Sequence, residues 1–490
     1  MSALGAGALA AIFFAPRFWL WCALGVPLKE LAEIQPELHR ASFALQQLAD
    51  PWMRIDDATN RVIEWRLLFP LIGHYLQLPH WLYLALPHAG CLLALAAISS
   101  IAWKATRDAT ATVCSALIAA TASWFFVSTG WLAYFDSWLI LALVLASFAR
   151  KRWVLFAVAL LAPWVDERFI LALPICAVVR AGVRHDAGET HGAWWRDVLT
   201  LLAGLAPYVA VRLGAEVMHV RETSKSYWTD RPLLPAPLGA TVWGVWSGLR
   251  LGWLALILSF FAFAGRNRWL AAATVGVTLL VNLCVADDLS RSMSVAVPLV
   301  LAGVLQLWRT QPERARRIVP WLCAGNLLLP AHHVIASPAS AEEPFHMVPI
   351  LSLPAEIARG DEPPYFASPF VYNRRGMDAF QSGDQTKARV AFDLALRFDP
   401  DFSRAHANRG IVNFISGRRE EGMAELSAAL ARSPSLYDAR MQRAAFRQQL
   451  GDRRGALADV REALHYMPAD WPKRKEAEAF ERALASQAGP

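Results

Sequence analysis

Long apolar segments follow one another through the first two thirds of the chain, and they constrain the fold more than any other feature. A membrane-spanning helix needs about 20 predominantly apolar residues. Ten stretches within residues 1–335 approach or exceed this length: about 4–26, 81–102, 110–128, 132–149, 153–179, 197–215, 243–264, 269–286, 293–308 and 318–335. Of the whole chain, 55% is hydrophobic. We therefore expect an all-α fold that begins with a polytopic transmembrane helix bundle.

The segment 153–179 carries three charged residues at its centre, Asp166, Glu167 and Arg168, and basic residues at both ends. The positive-inside rule puts both ends in the cytoplasm, whereas a single straight helix would place them on opposite sides. It would also bury the three charges at mid-bilayer. Two short helices meeting at the charged turn satisfy both constraints, and they raise the expected number of helices to about eleven. The two halves are residues 153–163 and 169–180.

The basic connections between segments predict a cytoplasmic N-terminus and a C-terminal domain outside the membrane, on the periplasmic face of an inner membrane. Carboxylates from several loops then converge on the outer face: Asp56, Asp57, Asp136, Asp166, Glu167, Asp287 and Asp288. The alternative is that short outer loops simply tolerate acidic residues, because the rule counts Lys and Arg and not net charge.

The first outer loop, residues 50–79, combines charged and apolar residues in a way that suits neither lipid nor open water. Its adjacent carboxylates, Asp56 and Asp57, are candidates for chemistry, with helix capping as the alternative. Arg61 and Arg66 can face lipid phosphates or pair with Glu64. His74 can contact substrate, or it can be a structural, hydrogen-bonded residue.

Residues 336–368 are rich in proline and predict a linker. From residue 369 the sequence repeats every 34 residues, with small residues, glycines and prolines in register. Examples are Gly383, Gly417 and Gly451; Ala395, Ala429 and Ala463; and Pro400, Pro434 and Pro468. Three copies cover about 369–402, 403–436 and 437–470, and 471–490 is expected to form a capping helix.

This spacing resembles the tetratricopeptide repeat (TPR), an α-solenoid of helix pairs. The resemblance implies a concave groove for a protein or peptide partner. Its expected lining is Phe370, Asn373, Met377, Phe380, Arg404, Asn408, Ile411 and Phe414. The alternative is a repeat block that only packs on its own membrane domain.

Residues 1–335 resemble the GT-C superfamily of membrane glycosyltransferases, which use polyprenyl-phosphate sugars. The shared pattern is about eleven helices and an acidic pair in a long first outer loop. Two later stretches are also similar, TGWLAYFDSWLILALVLA with the hairpin after it, and VADDLSRSMSVAVPLV. The resemblance implies that Asp57, or else Asp56, acts as general base on the acceptor hydroxyl, while cations stabilise the departing lipid phosphate.

Arg212 and Arg250 lie near the predicted outer ends of their helices and are candidates for phosphate binding, with snorkelling to the interface as the alternative. Asp166, Glu167 and Arg291 can line the cavity or neutralise their neighbours. The carboxylates leave a divalent metal possible, although no ligand spacing requires one. The six cysteines form no metal or disulfide pattern.

Two rival functions remain at this stage. One is a non-enzymatic membrane anchor that presents the repeats as a scaffold for envelope assembly. The other is a transporter or an O-antigen-type ligase, although residues 1–335 contain no convincing internal repeat of the kind that many transporters have. Neither nucleic-acid binding nor a nucleotide-binding loop is indicated by the sequence.

Overall fold

A computed structural model describes most of the chain. The described residues are 2–13, 36–54, 61–130, 133–186, 194–217, 238–263, 268–285, 288–329, 331–334, 345–346, 369–398, 400–467, 471 and 473–487. They are almost entirely helical, as expected from the sequence. They divide into two compact units, one formed by the apolar part of the chain and one by the repeats.

The first unit contains sixteen described α-helices. They are α1 (Ser2–Phe13), α2 (Pro36–Ala49), α3 (Leu68–Tyr75), α4 (His80–Thr106), α5 (Ala109–Ala120), α6 (Ser123–Gly130), α7 (Asp136–Phe148), α8 (Arg152–Leu161), α9 (Arg168–Asp186), α10 (Trp194–Val217), α11 (Leu238–Leu249), α12 (Gly252–Phe263), α13 (Arg268–Val285), α14 (Leu289–Met293), α15 (Val297–Thr310) and α16 (Pro312–Leu328). Short 3-10 helices lie at Arg61–Trp65, Ala162–Trp164 and Ser294–Ala296. One antiparallel pair joins β1 (His332–His333) to β2 (Phe345–His346).

Three described helices are long and apolar enough to cross a membrane, namely His80–Thr106, Trp195–Ala215 and Leu289–Thr310. Two bent pairs raise this number to five if each pair counts as one span. The pair of α5 and α6 is bent by 60°, and the pair of α11 and α12 by 78°. These helices support membrane association, whereas the expected bundle of about eleven spanning helices is not established, because several apolar segments form shorter or broken helices.

The core of this unit is built around α15, whose side chains are almost all buried. Helices α12, α16, α9, α5, α4 and α7 pack around it. Close contact between α4 and α7 depends on Gly90, where an added Cβ would come within 2.4 Å of Ser137 Oγ. Ser137 Oγ in turn donates a hydrogen bond of 2.7 Å to the Pro87 carbonyl. These contacts fix the beginning of α7, where Asp136 lies.

The segment predicted to form a hairpin is broken where its three charges occur. Helix α8 ends at Leu161, a 3-10 turn follows, and α9 begins at Arg168. Its two outer ends meet again, since Arg152 and Arg180 both contact Asp197, at 3.5 Å and 2.5 Å. The chain therefore runs out along α8 and returns along α9.

The second unit consists of helix pairs with a final single helix. The helices are α17 (Pro369–Gln381), α18 (Gln385–Phe398), α19 (Ser403–Ile415), α20 (Arg419–Arg432), α21 (Tyr437–Gln449), α22 (Arg453–Tyr466) and α23 (Arg474–Gln487). Gly383, Gly417 and Gly451 end the first helix of each pair at φ values of +85°, +92° and +85°. Glycine adopts this left-handed conformation without steric penalty, which explains its recurrence every 34 residues.

Repeated ion pairs connect the helices of this unit. Arg409 contacts Asp393 at 2.7 Å and Glu425 at 2.9 Å. One repeat later, Arg443 contacts the buried Asp459 at 2.6 Å. The 34-residue period therefore governs the polar contacts as well as the turns.

Candidate functional site

Charged side chains from four separate parts of the first unit meet in its interior. We call this group the carboxylate–arginine cluster. It consists of Asp136, Asp166, Glu167, Asp288, Arg66, Arg168 and Arg291. All four carboxylates belong to the set that the pattern of basic residues predicts on one face of the membrane. The structure brings these four described side chains close together.

Arg168 lies at the centre of the cluster and is 4% exposed. Its Nη2 atom donates hydrogen bonds of 2.6 Å to both Asp136 and Asp166, and its Nε donates one of 2.9 Å to Asp166. Its Nη1 atom is buried and has no hydrogen-bond partner among the residues that the structure describes. A guanidinium carries five N–H donors, so this atom can still donate a hydrogen bond to an oxygen of a ligand.

Arg291 approaches from the other side of Asp136. Its Nε lies 2.9 Å from Asp136 Oδ1, and its Nη1 lies 2.5 Å from Asp288 Oδ2. The guanidinium also lies over the ring of Tyr134, 4.8 Å from the centroid. Asp136 therefore joins two arginines that come from different helices, α9 and α14.

Arg66 brings the segment just before α3 into the cluster. Its Nη1 lies 3.3 Å from Asp166, and its Nη2 lies 2.9 Å from Glu167. The sequence left open whether Arg66 faces phosphate or an acidic partner, and in the structure it pairs with these two carboxylates. The segment just before α3 is thereby attached to the break between α8 and α9.

The break between α8 and α9 explains why its charged residues can be buried. Asp166 Oδ1 accepts a hydrogen bond of 3.0 Å from the backbone N–H of Arg168, which stabilises the beginning of α9. Asp136 lies in the first turn of α7, where a negative charge is favoured by the helix dipole. Both carboxylates thus occupy helix N-termini as well as ion pairs.

Arg212 differs from the other arginines near the cluster because it contacts aromatic rings and no carboxylate among the described residues. Its guanidinium carbon lies 4.2 Å from the centroid of Trp65 and 6.0 Å from that of Tyr208. Trp65 immediately precedes Arg66, so this cation lies beside the cluster. The side chain is only partly buried.

Three predicted site residues cannot be placed. Asp56 and Asp57 lie outside the described residues, and so does the side chain of Arg61. His74 is described and exposed, and its Nδ1 lies 3.1 Å from the Leu48 carbonyl oxygen. This contact joins His74 to the C-terminal end of α2, outside the cluster.

Arg250, a candidate phosphate ligand in the sequence, is completely buried. Its Nη1 donates to the carbonyl oxygens of Asn326 and Leu329, at 2.8 and 2.9 Å, and its Nη2 donates to that of Thr121. These carbonyls lie at the C-terminal ends of α16 and α5, where orphan acceptors and the negative end of the helix dipole favour a cation. Arg250 therefore joins broken helices, and its geometry is that of a structural residue.

The predicted groove residues fall into two groups. Phe414 is buried and stacks on Phe446, with ring centroids 3.8 Å apart, so it belongs to the core between repeats. Three further members pack partly buried against apolar clusters: Met377, Phe380 and Ile411. The polar members include Asn373 and Asn408, which share a hydrogen bond of 2.9 Å, and Arg404. The side chain of Phe370 lies outside the described residues.

Sequence reasoning did not identify Trp65 and Tyr208 as partners of Arg212. The spacing of Tyr208 and Arg212, four residues apart on α10, was an available signal because such pairs share one helix face.

No group of three or more His, Cys, Asp or Glu residues in the described part of the chain is arranged to hold a metal ion. A scan against models of known protein families found no match, and a search of curated proteins found no similar sequence.

Proposed function

We propose that this protein is an integral membrane glycosyltransferase of the GT-C type, which transfers a sugar from a polyprenyl-phosphate donor on the outer face of the membrane. Its C-terminal helix pairs are TPR repeats that bind a protein or peptide partner. The observation that carries the proposal is Arg212, a cation held on Trp65 beside the carboxylate–arginine cluster and paired with no described carboxylate.

A lipid phosphate that departs as an anion needs such a cation. Arginine matches a phosphate with its planar fork of donors. The arginines of the cluster are already paired with carboxylates, whereas Arg212 is held by aromatic rings that leave its donors available. The partly exposed position of Arg212 on a long apolar helix is compatible with a ligand that arrives from the lipid.

The depth of the cluster supports the same proposal. Arg180 follows Arg168 by 12 residues on α9, a distance of about 18 Å at 1.5 Å per residue. The hydrocarbon core is about 30 Å thick. If Arg180 lies at the cytoplasmic interface, the cluster is recessed about 12 Å below the outer edge of that core. At this depth a charged donor phosphate is costly in lipid and requires cationic partners such as Arg212.

The general base is assigned to Asp57, with Asp56 as the second choice. Each carboxylate of the cluster already contacts an arginine, so none of them is free to accept a proton in the described part of the site. Asp57 precedes Arg66 by nine residues in the same loop, and Arg66 attaches this loop to the cluster. The first loop can therefore supply a base that the cluster itself lacks.

The test uses the full-length protein reconstituted in vesicles with a panel of polyprenyl-phosphate sugars and scores sugar transfer. We expect Asp57→Asn to abolish transfer and Arg212→Gln to raise the KM for the donor, with both variants retaining the wild-type thermal midpoint. Arg212→Lys should recover part of the donor affinity. His74→Gln is the matched control, because His74 lies outside the cluster. Full transfer by Asp57→Asn and Asp56→Asn would exclude the proposed base.

A membrane-anchored scaffold is the second candidate function. The observation that favours it is the complete pairing of the described carboxylates in the cluster, which is also what a purely structural charge network requires. This alternative predicts that Asp56 and Asp57 can be replaced without loss of the protein's function in the cell. Substitutions in the repeats should abolish that function.

A further inference from the structure

A second charged group lies at the opposite end of the same helices and has a different composition. Asp197, at the beginning of α10, is 2% exposed and is surrounded by three arginines. Its Oδ2 contacts Arg180 Nε at 2.5 Å and Arg184 Nη2, and its Oδ1 lies 3.5 Å from Arg152 Nε. We call these four residues the Asp197 cluster.

Three guanidinium groups surround the single carboxylate of the Asp197 cluster. Arg180 is buried and also donates a hydrogen bond of 3.0 Å to the Ala146 carbonyl, so its guanidinium group faces the protein interior. Arg152 is different, because its side chain is 45% exposed and its contact with Asp197 is the longest of the three. It can turn its donors to a ligand without leaving the cluster.

Exposed tryptophans mark the level of this cluster in the membrane. Trp153, next to Arg152, is 68% exposed, and Trp195, two residues before Asp197, is 50% exposed. Tryptophan is enriched at the headgroup level of membranes. The same two helices continue with exposed apolar side chains, Phe156 on α8 and Leu199 on α10. The cluster therefore opens where a lipid headgroup meets the acyl chains.

We propose that the Asp197 cluster binds the phosphate of an anionic phospholipid on the face opposite to the carboxylate–arginine cluster. Basic pockets between membrane helices are suited to anionic headgroups. Arginine supplies paired N–H donors to phosphate oxygens, and Arg152 is the residue assigned to this contact. The flanking tryptophans and apolar side chains favour a lipid over a free anion. This site is independent of the proposed transferase chemistry.

The test compares the full-length protein in nanodiscs of phosphatidylcholine alone with the protein in nanodiscs that also contain phosphatidylglycerol. Bound phosphatidylglycerol is measured by native mass spectrometry, and stability by the thermal midpoint. Loss of one charge-assisted hydrogen bond should weaken phosphatidylglycerol binding about tenfold in Arg152→Gln. Arg152→Lys, which keeps the charge, should fall between this variant and the wild type. Arg314→Gln is the matched control, because Arg314 is an exposed basic residue outside the cluster.

A titration of the detergent-solubilised protein with inorganic phosphate distinguishes the two sources of a phosphate group. The proposal expects weak phosphate binding and no competition with phosphatidylglycerol at equal concentration. Equal loss of lipid in Arg152→Gln and Arg314→Gln would overturn the site. Inorganic phosphate that displaces phosphatidylglycerol at equal concentration would overturn its assignment to a lipid. Arg152 is half exposed, so Arg152→Gln is expected to fold, and an unchanged thermal midpoint in phosphatidylcholine checks this.

Discussion

Arg168 and Asp136 are 32 residues apart in sequence, yet Arg168 Nη2 lies 2.6 Å from Asp136 Oδ1 in the interior of the first unit. Asp136 also contacts Arg291 at 2.9 Å. One carboxylate therefore bridges two buried guanidinium groups, and the position of α7 relative to α9 and α14 depends on it.

Replacing Asp136 with asparagine should strongly destabilise the protein. The variant removes one carboxylate partner from each of Arg168 and Arg291, which keep Asp166 and Asp288, and each lost contact with a charged group costs about 1.5–3 kcal/mol. Chemical unfolding in detergent micelles measures the change. Glu313→Gln is the control, because the Arg316–Glu313 pair is exposed and its loss should cost less than about 1 kcal/mol. Equal losses in the two variants would contradict the importance of the buried cluster.

Replacing Gly417 with alanine should loosen the second helix pair of the repeats. Gly417 has a φ of +92°, and a Cβ in this left-handed region costs about 1–2 kcal/mol. Hydrogen exchange of α19 and α20 in the full-length protein should become faster. Ser382→Ala, in the turn of the preceding pair, changes an exposed side chain at an ordinary φ, and its exchange rates should match the wild type. Unchanged exchange in Gly417→Ala would show that the turn can relax.

Asp108 gives the first unit a predictable dependence on pH. This residue caps α5, and the hydrogen bond of 3.0 Å from the Ala111 backbone N–H, with Arg316 at 3.1 Å, lowers its pKa below the ordinary value of 3.8. A carboxyl group with a lowered folded pKa stabilises the protein above its unfolded pKa, and this contribution is lost as the pH falls through the folded pKa.

Asp108→Ala should therefore be less stable than the wild type by about 1 kcal/mol at pH 7, the usual cost of losing an N-cap. The difference should shrink as the pH falls below the ordinary pKa of an aspartate. Thermal midpoints measured across this range test the sign. Arg316→Gln retains the cap and should show the smaller loss at neutral pH. A difference that grows in acid would refute the assignment.

Replacing Arg250 with methionine should destabilise the first unit and leave donor binding by the folded fraction intact. The carbonyls of Thr121, Asn326 and Leu329 would lose a donor, and each buried unsatisfied group costs about 1–3 kcal/mol. Unfolding in detergent measures the first effect, and polyprenyl-phosphate binding normalised to folded protein measures the second. If donor binding falls by more than the folded fraction does, Arg250 is a phosphate ligand after all.

The sequence was sufficient to predict the helical class, the broken hairpin and the convergence of carboxylates, because charge and length constraints in a membrane are severe. The arrangement within the cluster was not predictable. Nothing in the spacing of Arg66 and Asp166, 100 residues apart, selects that pair over Arg66 with Glu64. Likewise, the position of Arg250 near the end of an apolar segment predicts an interfacial cation, whereas tertiary packing surrounds it with the carbonyl ends of α5 and α16. The local sequence pattern indicates which charged residues are costly to bury. The ion-pair partner of each charged residue depends on tertiary packing.

The broken hairpin also has a consequence for how the chain is made. Helix α8 has 10 residues, about half the length that a translocon recognises as a spanning segment. It cannot be retained in the bilayer on hydropathy alone, and the charged turn after it opposes insertion. If this hairpin enters the bilayer, its insertion depends on the direct partners of the charged turn, Arg66 and Asp136, both of which are synthesised before it. In a chain truncated before residue 291, the hairpin should therefore keep its direct charge partners and remain protected from quality-control proteases.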